Sequence, residues 1–245
     1  MTENVPAALR AYRATWQRKP ALRAVYDDFY GRIAAACTPG LTIELGGGVG
    51  NLKDRLGRAI VTDIQFAPWL DAVADAQRLP FGAETIANIV MVDVFHHLEF
   101  PLRFLREAKR VLRPGGRIVM VEPAITWGST VFYRFIHHEP VRMSADVLRD
   151  GEPNPGRDPY DANQAFPTLL ATRDRERLRS ALPELRVARV EWFALAAYGL
   201  TGGFKSWSLV SERIARRLLR IEHHIEPTVG RFAGFRLLLV IEKAN

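Results

Sequence analysis

Residues 42–52 read TIELGGGVGNL: a short apolar run closing on an acid and a leucine, then four glycines in five positions, Gly46, Gly47, Gly48 and Gly50. Glycine accepts positive φ and has no Cβ, so a cluster directly after a strand lets the backbone turn sharply and approach a ligand closely. The glycines alone fit a bare tight turn as well as a cofactor loop. A dinucleotide-binding G-x-G-x-x-G would place its third glycine at 51 or 53, where Asn51 and Lys53 stand. A phosphate-binding P-loop needs Gly-Lys-Ser/Thr, and Gly50 is followed by Asn51. What remains is an acid-x-Gly-x-Gly-x-Gly pattern, met by Glu44, Gly46, Gly48 and Gly50.

Working outward, apolar runs at Leu41 to Leu45, Ala59 to Ile64, Ile89 to Val94 and Arg117 to Glu122 predict strands separated by turns or helices, the pattern of a parallel sheet. The clearest helix runs from Pro101 to Leu112, with Phe104, Leu105, Ala108, Val111 and Leu112 on one face and Arg113-Pro114-Gly115-Gly116 as its stop. Two helices are expected before the Thr38-Pro39-Gly40 break, forming a lid or flank. Strands over Leu185 to Trp192 and Phe235 to Ile241 close the chain.

The glycine pattern resembles motif I of the class I S-adenosylmethionine-dependent methyltransferases. Residues 88–123, NIVMVDVFHHLEFPLRFLREAKRVLRPGGRIVMVEP, resemble the strand-helix-strand core of small-molecule members of the methyltransferase type 11 kind. The resemblance is strong over residues 40–123 and holds only in outline elsewhere. It implies a Rossmann-like three-layer α/β sandwich: a seven-stranded, mostly parallel sheet with an antiparallel last strand and a substrate-cover insertion after strand five. It further implies one domain over 1–245, with an N-terminal helical lid (1–38), a cofactor-binding core (40–123), the cover (124–184), and the final strands with a basic helix (185–245).

The same resemblance implies S-adenosyl-L-methionine as cofactor. A bidentate carboxylate suits two adjacent ribose hydroxyls, and Asp63 ends the second strand, with Ile64 beside it. Asp75, followed by Ala76 and Gln77, occupies the position of the second acid, facing the adenine amine. Val92 and Asp93 at the end of strand four and His97 just after it lie at the carboxyl edge of the sheet, completing an expected cofactor set of Glu44, Gly46, Gly47, Gly48, Gly50, Asp63, Ile64, Asp75, Ala76, Gln77, Val92, Asp93 and His97. Two departures stand out. Ala87-Asn88 replaces the usual Phe-Asp, which predicts a loss of polar anchoring. The stretch between Asp63 and Asp75 has room for little more than one turn, leaving sheet surface for Phe66 and Trp69 to cover.

Methyl transfer to a hydroxyl calls for a general base, most often histidine. His137 and His138, in FYRFIHHEP after strand five, are candidates; His97 is another, and Asp161 a carboxylate rival whose pKa burial could raise. The cover, with GEPNPGRDPYDANQAFPTLL at its centre, is expected to contribute Tyr160, Asp161, Asn163, Gln164 and Phe166 to an acceptor pocket, together with Tyr133 and the Tyr198 to Phe204 loop. The ordinary alternative for each is loop packing.

A helix from about Ser208 to His224 carries Val210, Ile214, Leu218, Ile221 and Ile225 on one side and Arg213, Arg216, Arg217 and Arg220 on the other. Complementing a helix dipole accounts for its basic end, and peripheral contact with a membrane surface is the alternative. The net charge of +7 permits an anionic substrate, nucleic acid or a membrane surface without selecting one. No run approaches the ~18 apolar residues of a membrane span. A lone cysteine, Cys37, and an N-terminus without a secretory pattern make the cytoplasm the default. No metal site is expected, because there is no His-Glu-x-x-His and no cysteine pair. Nucleic acid is disfavoured: Val92-Asp93-Val94-Phe95 stands where an amino-methylating DNA enzyme carries Asn/Asp-Pro-Pro-Tyr.

The expected activity is O-methylation of a small, anionic or glycosylated acceptor by a monomer or homodimer. N- or C-methylation and a non-catalytic cofactor-binding scaffold are the alternatives.

Overall fold

The computed structural model describes residues 5–56, 59–135, 140–152 and 154–244. Its elements follow the chain as α1 (Ala7–Arg18), α2 (Pro20–Ala36), β1 (Thr42–Leu45), α3 (Lys53–Leu56), β2 (Ala59–Asp63), β3 (Ala72–Val73), β4 (Ile86–Val92), a 3-10 turn (Phe95–His97), α4 (Pro101–Val111) and β5 (Leu112–Pro123). Then come α5 (Trp127–Phe135), α6 (Phe166–Ala171), α7 (Arg175–Ala181), β6 (Leu185–Phe193), α8 (Ala197–Thr201), α9 (Glu212–Ala233) and β7 (Arg236–Lys243).

The strands form one sheet in the order β3-β2-β1-β4-β5-β7-β6. Pairs from β3 through β5 are parallel, and β7 runs antiparallel to both β5 and β6. This is the expected seven-stranded, mostly parallel sheet with its last strand reversed. Central strands β1 and β4 are buried along almost their whole length, because helices cover both faces and no solvent-facing register is left for polar side chains. One apolar layer joins the sheet to α4, α6 and α7 through residues such as Phe104, Leu105 and Leu169. The other joins it to α2 and α9 through Phe29, Ile33 and Leu219.

Several local expectations change. Asn88 keeps the anchoring its neutral side chain was expected to lose. It accepts from Thr38 N–H at 2.8 Å and donates to Thr38 O at 2.8 Å and Thr42 Oγ1 at 3.0 Å, because an amide supplies the donor a carboxylate lacks. The helix after β1 is described over Lys53–Leu56. Between β2 and β3 there is no helix among the described residues. Trp69 fills the gap by packing with Val5, Leu9 and Ala67 and by donating its indole N–H to Gly48 O at 2.8 Å, while Phe66 stays exposed.

The basic helix α9 begins at Glu212 and continues through His223 and His224 to Ala233, so that pair does not end it. Its buried face is Ala215, Leu219, Glu222, Glu226 and Gly230, not the isoleucine stripe. The reason is polar. The Glu222 carboxylate accepts the N–H groups of Leu195, Ala196 and Ala197 at 3.0, 2.8 and 2.7 Å, and Glu226 accepts Ala194 N–H at 2.9 Å while pairing with Arg32. Open backbone donors at the start of α8 are costly to bury, and these acids satisfy them. Gly230 lets the helix touch β6: a Cβ there would lie 2.0 Å from the Trp192 carbonyl.

Candidate active site

The carboxyl ends of β1, β2 and β4 open into one cavity of about 720 Å³, within the ~300–1,000 Å³ usual for small-molecule sites. The turn after β1 forms its floor. Gly46 and Gly50 take φ of 69° and 76°, left-handed conformations that an L side chain rarely adopts. A Cβ on Gly46 would sit 2.3 Å from Val94, and one on Gly47 would sit 2.2 Å from Val61, so the turn is pressed against β2 and the segment that follows β4. A Cβ on Gly48 would meet only ordinary contacts, at 3.9 Å, and its φ of 46° is again left-handed.

Asp63 closes β2 beside this turn and is 8% exposed. Its Oδ2 accepts Gly48 N–H at 3.0 Å and its Oδ1 accepts Gln65 N–H at 2.9 Å. Burial pushes its pKa above the ordinary carboxylate range, and these backbone donors pull against that. Glu44 lies beneath Gly47, fully enclosed, and its Oε2 has no hydrogen-bond partner among the described residues. Burial, reinforced by Asp63 and offset in part by Lys53, raises Glu44 to about 8. Asp75 follows β3, accepts Gln77 N–H at 2.8 Å, and borders the cavity with Ala76 and Gln77.

Of the residues expected to hold a cofactor, Gly46, Gly47, Gly48, Asp63, Ile64, Asp75, Ala76, Gln77, Val92, Asp93 and His97 border this cavity. Glu44 and Gly50 lie behind the turn. The set fits S-adenosylmethionine: two acids at successive strand ends beside a glycine floor suit a ligand with ribose hydroxyls, an amine and a cationic centre.

The base candidates separate in space. His97 borders the cavity, with its Nδ1 3.3 Å from the Asp161 carbonyl oxygen. The Asp161 carboxylate is largely exposed and lies 3.9 Å from Arg157, so the structure does not turn it inward. His137 and His138 lie outside the described residues. From the cover, Tyr160 and Gln164 border the cavity, whereas Phe166 is buried in the core and Asn163 is engaged with Arg142.

Three features were not legible in advance. Glu122, at the end of β5, accepts from Val94 and Phe95 N–H and contacts His96 Nδ1 at 2.6 Å. Arg236 pairs with Asp93 at the mouth of β4. Lys19 Nζ lies 2.6 to 2.9 Å from the carbonyls of Thr201, Gly203, Lys205 and Trp207, stitching the helical N-terminus to a loop that walls the cavity. Among the described residues no His, Cys, Asp or Glu cluster could hold a metal ion.

A family model described as a methyltransferase domain matches residues 45–120, from the end of β1 into β5. Residues 45–120 thus match a methyltransferase domain, of the S-adenosylmethionine-dependent class I kind. It is 31% identical over 144 residues to a demethylmenaquinone methyltransferase of Streptomyces avermitilis, a match covering 56% of this chain and 55% of that protein. The match thus spans about half the length of this curated relative. A methyltransferase structure from Thermotoga maritima, described as a possible histamine N-methyltransferase, shares the fold with a TM-score of 0.58 at 15% identity, covering 92% of each chain. No helix among the described residues is long and apolar enough to cross a membrane.

Proposed function

We propose that this methyltransferase transfers the methyl group of S-adenosylmethionine to an oxygen of a small, anionic or glycosylated acceptor. One observation carries the reading: the cavity that holds Asp63 and the glycine turn is continuous with a chamber of tyrosines, including Tyr12, Tyr26, Tyr30, Tyr133 and Tyr198. Donor and acceptor ends are therefore joined behind shared walls, where positioning and exclusion of water do most of the catalytic work. The cofactor supplies an electrophilic methyl group. The chain has to align the acceptor oxygen and take up its proton. His138, His137 and His97 are the proposed proton acceptors and Asp161 the carboxylate rival. His97 is supported by its place on the cavity wall.

The test is a panel of hydroxylated, amino and saccharide acceptors, read by formation of S-adenosylhomocysteine and by the position of the transferred methyl group. Methylation confined to nitrogen or carbon would overturn the oxygen assignment. Cofactor binding with no turnover on any acceptor would favour a scaffold. In the variants His138→Ala, His97→Ala and Asp161→Asn, the one that keeps cofactor affinity and loses turnover identifies the base.

The partner reading concerns α9. Ile214, Ile221, Ile225 and Phe232 are 42 to 61% exposed along it, and Arg217, Arg220 and His224 flank the central isoleucines in a shallow groove. Apolar residues interleaved with cations on one helix face support peripheral contact with an anionic lipid surface.

A further inference from the structure

We propose that Arg236 is the acceptor-reading residue of this cavity, binding an anionic or ionisable oxygen on a planar aromatic acceptor held among Tyr26, Tyr30, Tyr133 and Tyr198. The proposal rests on the methyl-acceptor reading of the chamber and names the class of molecule that enters it.

Arg236 opens β7, in register with Pro123 of β5 and Phe193 of β6, so two flanking strands fix its backbone. It is 5% exposed and borders the cavity. Its Nη1 donates to Asp93 Oδ1, and its guanidinium carbon lies 4.5 Å from the centroid of the Tyr198 ring. Its Nε is buried and has no hydrogen-bond partner among the described residues. A buried guanidinium offers five N–H donors in a rigid fork, and leaving one unmet costs about 1–3 kcal/mol. A carboxylate or phenolate matches the geometry of such a fork better than any neutral group.

Asp93 shows how the pair is placed. It has a φ of 58°, a left-handed conformation that Asp tolerates better than most residues, and it immediately follows β4. Its backbone N–H donates to Val121 O at 3.0 Å. The chain thus bends at Asp93 between the cofactor turn and the chamber, which sets Arg236 at the junction of the two ends. Asp93 pairs with one end of the guanidinium, and the stacked Tyr198 ring keeps its plane oriented.

The walls select a flat partner. Tyr26 and Tyr30 project from α2 with ring centroids 5.8 Å apart, and Tyr26 meets Phe204 of the 202–207 loop at 5.7 Å. Burial holds the Tyr26 phenol well above its usual pKa, so it stays a neutral donor at the chamber wall. Aromatic rings packed edge to face leave ring faces and edges for a further ring to contact. An aliphatic acceptor would forgo those contacts.

The experiment measures binding of a hydroxynaphthoate, the corresponding naphthol and its methyl ether to protein saturated with S-adenosylhomocysteine, in wild type, Arg236→Lys and Arg236→Met. Wild type should favour the acid over the ether by about tenfold or more, the scale of one charge-assisted contact. Arg236→Met should remove that preference while leaving ether and S-adenosylhomocysteine affinities within about twofold, and Arg236→Lys should restore part of it. Because Arg236→Met leaves Asp93 without its partner, the double variant Arg236→Met/Asp93→Asn is measured beside it, and the same loss of preference is expected. Equal weakening of all three probes, an unchanged preference, or no saturable binding by any probe to wild type would overturn the assignment. Binding of S-adenosylhomocysteine is scored separately: its absence overturns the cofactor reading as well, whereas its presence without acid preference overturns only the role of Arg236.

Discussion

His96 Nδ1 lies 2.6 Å from Glu122 Oε2 in a contact almost closed to solvent. The other carboxylate oxygen accepts Val94 and Phe95 N–H at 2.8 and 2.7 Å, so one side chain from β5 ties down the turn that follows β4. Glu122→Gln replaces one of the two acceptor oxygens by a donor, which must face either the two N–H groups or the His96 ring. It should cost about 2–3 kcal/mol in urea unfolding and lower kcat more than it raises the cofactor KM. Unchanged stability would mean that the turn is held by other contacts.

We propose that Asp63, at the end of β2 and on the cavity wall, holds the cofactor ribose. Asp63→Ala should weaken S-adenosylhomocysteine by about a hundredfold or more, the scale of two hydrogen bonds to a charged group, as measured by calorimetry. Near wild-type affinity would sink this role.

Glu44 makes stability depend on pH in a direction opposite to that of a salt-bridged acid. Its folded pKa of about 8 lies above the ordinary ~4.3 of an unfolded glutamate. Between those values the folded chain holds a proton that the unfolded chain has released. The stabilisation is therefore complete below about pH 4, falls by up to about 1.4 kcal/mol per pH unit, and is lost above about pH 8. Glu44→Gln should flatten this decline and be more stable than wild type, without ligand, at about pH 9. Parallel unfolding profiles for the two proteins between about pH 5 and 9 would contradict it.

Lys19 places one ammonium among four backbone carbonyls, more acceptors than its three N–H groups can serve singly. Lys19→Met leaves those carbonyls without their donor and should destabilise the fold by about 2–4 kcal/mol. Because Gly202, Gly203, Phe204, Lys205 and Trp207 wall the cavity, the acceptor KM should rise more than the cofactor KM. A variant that shifts neither constant would separate the clamp from the pocket.

The exposed face of α9 gives a direct binding prediction. Wild type should sediment with phosphatidylglycerol vesicles at low salt and be released at high salt, with little binding to phosphatidylcholine. Arg217→Glu/Arg220→Glu should weaken sedimentation by about tenfold or more. Salt-insensitive binding, or a second copy of the chain covering this face in gel filtration, would exclude the lipid reading.

How much was legible depended on how local the cause was. The glycine turn, the strand runs and α4 could be read because alternation, apolar spacing and a Pro-Gly-Gly stop act within a few residues. The buried face of α9 could not, because Glu222 and Glu226 owe their burial to backbone donors at residues 194–197 that only the folded chain brings near. Asn88 was misjudged for a related reason: its value lies in three partners at Thr38 and Thr42, well upstream in the chain.

The sequence by itself determined the donor side. A strand followed by glycines, with acids at successive strand ends, confines the cofactor chemistry because every element lies close to its neighbour in the chain. Only the tertiary structure brings together the residues of the proposed acceptor side. Arg236 and Asp93 stand 143 residues apart, and Lys19 lies 182 to 188 residues from the carbonyls it holds. The tyrosine chamber is assembled from α1, α2, α5 and α8. No periodicity links such residues; they meet because the reversed last strand carries Arg236 back beside the end of β5, next to β4.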